Sequence, residues 1–196
     1  MITWDERTGI IKEIKDWSEQ VLEPSNPEFN DLPACPYAKA AWQEHKVKIV
    51  FKFEKEDYKQ LYMALHNWSD LKDLTIIVDT EFIRDNDEFH QFVDNVNKAI
   101  ADNVFRDRDM WVMGFHPDDG EQELLDSEAF EPETDIEYAL LFVQRLSKLE
   151  KAAEKLRPLG YYDRSFQEYD TEAMYKLRTK FYRRLQNARI KESRTS

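Results

Sequence analysis

The chain has 196 residues, 41% of them hydrophobic and 13% aromatic, enough for one domain with a real core and too many for global disorder. A net charge of −12, 35% charged residues and a mean hydropathy of −0.76 imply a heavily solvated surface that repels the phosphate backbone, which makes nucleic acid a poor partner for the body of the protein. No apolar run approaches the roughly 18 residues of a membrane helix, the start lacks a signal-peptide pattern, and the single cysteine allows no internal disulfide, so a reducing cytoplasmic setting is expected.

In chain order, Ile10, Ile14, Trp17 and Val21 form one apolar stripe and predict a helix that stops at Pro24. A loop rich in Pro, Asn and Asp follows, and Pro36 is suited to the first turn of a short helix through "YAKAAWQE". "KVKIVFKF" alternates, with Val47, Ile49, Phe51 and Phe53 on one face and Lys46, Lys48, Val50 and Lys52 on the other, so residues 47 to 53 read as a strand. Tyr58, Leu61, Tyr62, Leu65 and Trp68 mark a helix, "LTIIVD" (74 to 79) a buried strand, and Phe89, Phe92, Val93, Val96 and Ile100 a longer helix. "MWVMGF" supplies a strand over 111 to 115, and "YALLFVQRL" a fourth strand leading into a helix at about 147 to 157. Met174, Leu177, Phe181 and Leu185 mark a final helix.

These elements predict an α+β or α/β fold: a mixed sheet of three or four strands with βαβ connections, helices packed on it, and an added carboxyl-terminal helix. Residues 1–160 form the single domain and residues 161–196 a basic extension. The extension carries Lys176, Arg178, Lys180, Arg183, Arg184, Arg189, Lys191 and Arg194 against Glu172 and Glu192. Such a helix is expected to dock on its own acidic body or on a second copy, as a homodimer; a partner-binding arm is the other option. The acidic segment 119 to 135 has no period and reads as a cover over a site.

Parallel strands joined by helices share a carboxyl edge, where ligands usually bind in such sheets, and Glu54, Asp79 and His116 belong near that edge. Cys35, just ahead of a helix start, is expected to have a lowered pKa and to approach the same edge. It serves as a nucleophile or metal ligand, or else as a small packed residue. In "GFHPDD", Gly114 leaves room beside His116, and Asp118 is placed to orient its imidazole; the same residues also make a good strand-ending turn. Lys39, one turn along from Cys35, and Asp79 are candidate substrate-binding groups. There is no P-loop, no G-x-G-x-x-G, no HExxH and no CxxC pair.

The segments "LPACPYAK" and "GFHPDD" together resemble the hallmarks of an uncharacterised bacterial family, a domain of unknown function with L-C-P-F-A-K and S-F-H-P-D motifs. Cys35, Pro36, Ala38 and Lys39 match the first motif, with Tyr37 for phenylalanine; Phe115, His116, Pro117 and Asp118 match the second. The resemblance follows element order over roughly residues 10 to 157 and implies that Cys35 and His116 belong to one site.

The expectation is therefore an enzyme acting on a small polar substrate at a sheet edge. Cys35 and His116, oriented by Asp118, would support thiol-dependent chemistry or hold a divalent metal. The alternative is a non-enzymatic interaction module, with a protein as partner, in which Cys35 and His116 are structural.

Overall fold

The computed structural model describes residues 3–52, 54, 58–119, 136–163 and 172–195. A two-residue antiparallel pair, β1 (Ser25–Asn26) and β2 (Leu32–Pro33), stands apart from the main sheet. That sheet contains β3 (Val47–Lys52), β4 (Leu74–Asp79), β5 (Trp111–Phe115) and β6 (Ala139–Gln144), in the order β3-β4-β6-β5. β3 and β4 are parallel, while β6 runs antiparallel to both β4 and β5. The fold is α+β.

β3, β4 and β5 therefore point the same way, and Lys52, Asp79 and Phe115 end at one carboxyl edge. Alternation of strands and helices in the chain favours β5 beside β4; instead, β6 occupies that place. Ala139, Leu140, Leu141 and Val143 of β6 are all fully buried, so this strand needs cover on both faces and a neighbour on each side. β5 tolerates the outer position because Asn97 pairs with it as a strand would. The Asn97 side chain donates to Val112 O at 2.8 Å and accepts from the Val112 N–H at 2.9 Å.

Helices cover both faces. On one, Ile76, Val78 and Leu140 meet Ile14, Trp17 and Val21 from α1 (Trp4–Trp17) and its π-helical continuation Ser18–Leu22, with Trp42 from α2 (Ala38–Gln43). On the other, Ile77, Val112, Leu141 and Val143 meet Leu61 and Leu65 of α3 (Lys59–His66) and Phe89, Val93, Val96 and Ile100 of α4 (Asn86–Ala101). Each such side chain contributes roughly 1.5–3 kcal/mol on burial.

The first turn of α1 is closed by a capping box. Thr3 Oγ1 accepts from the Glu6 N–H at 3.3 Å, and Glu6 Oε2 accepts from the Thr3 N–H at 2.6 Å.

The basic tail docks on its own body. Phe181 and Leu185 of α6 (Glu172–Thr195) share a core cluster with Trp111 and with Leu146 of α5 (Leu146–Leu156), while Met174 stays 44% exposed. Arg178 donates to Glu150 at 2.6 Å with both side chains buried, and Arg184 and Arg189 reach Asp102 and Asp109 at 2.8 and 3.0 Å. Of the expected cover segment only Asp119 is seen; residues 120–135 lie outside the described residues. Among the described residues no helix is long and apolar enough to cross a membrane.

Candidate functional site at the carboxyl edge

The parallel register sets Lys52 opposite Asp79, so their side chains emerge on the same face and at the same edge. Alternation alone would assign Lys52 to solvent with Lys48. It is buried because Tyr58, just ahead of α3, lies over it, with the ammonium 4.8 Å from the ring centroid, and Phe92 backs that ring at 4.3 Å.

An ammonium has three hydrogens. Here one goes to Asp79 Oδ1 at 2.7 Å and one to Glu81 O at 3.0 Å, and the tyrosine face neighbours the group. Lys52 thus gives two of its three hydrogens to Asp79 and Glu81.

Asp79 is only half engaged. Its Oδ1 also accepts from the Glu81 N–H at 3.2 Å, while its Oδ2 is buried without a hydrogen-bond partner among the described residues. Burial pushes the Asp79 carboxyl pKa up, outweighing the lowering by Lys52 and the Glu81 N–H. Around this pair the described rim is mostly acidic: Glu54, Glu81, Asp85 and Asp118 are exposed, with Arg84 stacked over Phe82 at 4.3 Å.

His116 follows β5 directly at the same edge, fully buried, its ring packed against Phe82 and Phe89 at 5.0 and 5.3 Å between centroids. Nε2 donates to Ile83 O at 2.8 Å, and Nδ1 accepts from the Asp118 N–H at 3.0 Å. Those backbone partners assign the proton to Nε2 and occupy both ring nitrogens. The imidazole stitches the loop after β4 to the turn after β5.

Asp118 orients the ring through its backbone; its carboxylate is 4.0 Å away and mostly exposed. The carboxylate that closes the turn is Asp119, which accepts from the His116 N–H at 2.7 Å and pairs with His90 Nε2 at 2.5 Å. That hydrogen bond raises the His90 pKa, against burial.

The room expected beside Gly114 is filled. A Cβ on Gly114 would lie 2.7 Å from Phe89 Cε1 and 3.1 Å from Val93 Cγ2, so the glycine admits α4 to the sheet and leaves no space for a ligand.

Cys35 lies on the other side of the sheet. Its N–H donates to Leu22 O at 2.9 Å, and Leu22 packs with the α1 cluster, whereas the His116 ring packs with the α4 cluster. The residue before it, Ala34, accepts a hydrogen bond from Tyr161 Oη and packs with Phe29, Tyr161 and Tyr162. Burial pushes the Cys35 thiol pKa up, against the lowering effect of the Tyr37 and Ala38 N–H groups. The expected activation by the helix start is therefore outweighed. Lys39 is exposed on α2, on the Cys35 side.

The structure brings Asp79, His116 and Asp118 to one edge and leaves Cys35 and Lys39 apart from them. Among the described residues no group of three or more His, Cys, Asp and Glu is arranged to hold a metal ion. Lys52, beside Asp79, and His90, beside Asp119, are residues at this edge that the sequence did not single out. The signal for Lys52 was its place at the end of a strand whose parallel neighbour ends in Asp79.

Comparisons with protein-family models, with curated proteins and with solved structures find no match for this chain.

Proposed function

We propose that the protein binds a small polar molecule at the carboxyl edge of its sheet and that Asp79 is the group that receives a hydrogen bond or proton from it. The observation that carries this reading is the half-used carboxylate: Oδ1 is held by Lys52 and Glu81, and Oδ2 is buried with nothing to accept from. Buried polar atoms are nearly always paired, so an orphaned oxygen at a ligand-favoured edge marks a place for a donor. Lys52 is already committed to Asp79 and Glu81 O, and the rim is acidic, which suits a ligand with N–H or O–H groups: an amine, amide or alcohol. A carboxyl whose pKa is raised by burial is also suited to take up and return a proton, the role of a general acid–base in catalysis.

In this reading the small polar substrate expected at the edge is kept, and the working groups are Asp79 and Lys52. Cys35 and His116 take structural parts, the thiol as a packed side chain and the imidazole as a loop clasp. The reading is tested by thermal unfolding against a panel of amines, amides and polyols. The wild type is compared with the double variant Lys52→Met/Asp79→Leu, which removes the charges and keeps the volume. A ligand of the site raises the wild-type midpoint in a concentration-dependent way and leaves the double variant unchanged. If no compound stabilises the wild type, or all that do stabilise both proteins alike, the edge is not a binding site.

A further inference from the structure

A second cavity lies away from the carboxyl edge, between α3 and the amino-terminal half of β3, with a volume of about 100 Å³. Its lining includes Lys48, Gln60, Asn67, Trp68, Ser69 and Lys72 and contains no acidic residue. In a chain with 40 Asp and Glu among 196 residues, a pocket whose lining, part apolar through Val50, Met63 and Ala64, has two lysines and no carboxylate stands out from the rest of the surface.

Three features of the wall ask for an acceptor. Trp68 lines the cavity, and its indole Nε1 is buried without a hydrogen-bond partner among the described residues, although an indole N–H can only donate. Lys48 pairs with no carboxylate among the described residues. Lys72 is held in place by donating to His45 O at 2.6 Å, which leaves ammonium hydrogens available. Behind the indole, the Arg145 guanidinium lies 5.8 Å from the ring centroid, its own charge already matched by Asp70 and Asp107.

We infer that this cavity binds a small oxyanion, a phosphate or carboxylate group, with the Trp68 indole and the Lys48 ammonium as donors. The volume exceeds the roughly 30 Å³ that one water takes in the liquid, so there is room for more than a single bridging water. Lys48 and Lys52 share a face of β3 but lie four residues apart, roughly 13 Å along the strand. The cavity is thus separate from the Asp79 site, and the two proposals stand or fall independently.

The experiment follows the indole N–H resonances in ¹⁵N-labelled full-length protein, with the Trp68 signal assigned by its loss in Trp68→Phe. Inorganic phosphate, acetate and chloride are titrated separately at matched ionic strength. The Trp68 signal is expected to shift saturably with phosphate or with acetate, whichever geometry fits, and to ignore chloride. Lys48→Gln, a change on a strand surface that leaves the core intact, should weaken that binding roughly tenfold or more, the scale of one charge-assisted hydrogen bond. Equal responses to all three salts, no saturable shift, or unchanged affinity in Lys48→Gln each overturn the assignment.

Discussion

The two ends of the sheet are built from the same residue types and finished differently. At the amino edge the charged groups Asp109, Arg145 and Asp73 are all paired. Asp109 accepts from the Ser147 N–H and the Ser147 hydroxyl at 2.7 Å each and from Arg189 at 3.0 Å, so both oxygens are used and the first turn of α5 is capped from outside. Arg145 bridges Asp70 and Asp107, and Asp73 takes Lys148. At the carboxyl edge Asp79 has a single buried cation and one orphaned oxygen. A closed network rigidifies; an open one stores an unsatisfied valence that a ligand can use. The contrast locates function better than charge alone, since both ends carry carboxylates.

The largest effect should come from breaking the open end. Asp79→Ala leaves Lys52 charged and buried with no carboxylate, and should lower stability by about 3–5 kcal/mol in urea unfolding. Lys52→Met/Asp79→Leu should recover most of that loss, because removing both charges also removes their desolvation cost. A single variant costing less than about 1 kcal/mol would show that water reaches the pair and that the two ends do not differ as described.

At the closed end, Asp109→Ala removes an outside cap and an arginine partner and should cost about 2 kcal/mol. Its effect should be the same with and without any ligand of the Asp79 site. A ligand-dependent loss would join the two ends energetically and blur the distinction.

Gly114→Ala probes how tightly the helix-covered floor behind the open end is packed. The added methyl meets Phe89 and Val93, and overpacking of this kind should cost about 1–3 kcal/mol. A neutral result would mean that Phe89 can retreat and that the space is usable after all.

The smallest effect concerns His90 and Asp119, which hold the turn beside the open end. The His90 pKa is raised from the ordinary 6.5 by its hydrogen bond to Asp119. A histidine whose folded pKa is raised adds stability that is full below the unfolded value and disappears as pH climbs through the folded one. Half-exposed as His90 is, the contribution should stay below about 1 kcal/mol. Denaturation midpoints measured from pH 6 upward should therefore fall with pH in the wild type and fall less steeply in His90→Gln. Parallel slopes would remove this pair from the account.

Much of the architecture could be read along the chain, because side-chain periodicity reports directly which face of each element is apolar. Most of each predicted stripe is buried, as at Ile14, Trp17 and Val21, at Phe89, Val93, Val96 and Ile100, and at Phe181 and Leu185, while Ile10, Phe92 and Leu177 are half-buried and Met174 stays exposed. The strands at 47, 74 and 111 fall where alternation and β-branching placed them, and Asp79 and His116 reach one edge because their strands are parallel.

Periodicity says nothing about what covers a face or who stands beside a strand. The insertion of β6 between β4 and β5 depends on the whole sheet needing its most apolar strand in the middle. The burial of Lys52 depends on where Tyr58 falls, and the use of the space at Gly114 depends on the approach of α4. Cys35 and His116, linked by their motifs, are parted by the sheet itself, because Leu22 brings one to the α1 side and strand alternation turns the other toward α4. Local patterns are set by neighbours in the chain, so the sequence alone determined the elements and their faces. The pairing of charges is set by neighbours in space, and only the tertiary structure decided which carboxylate was left open.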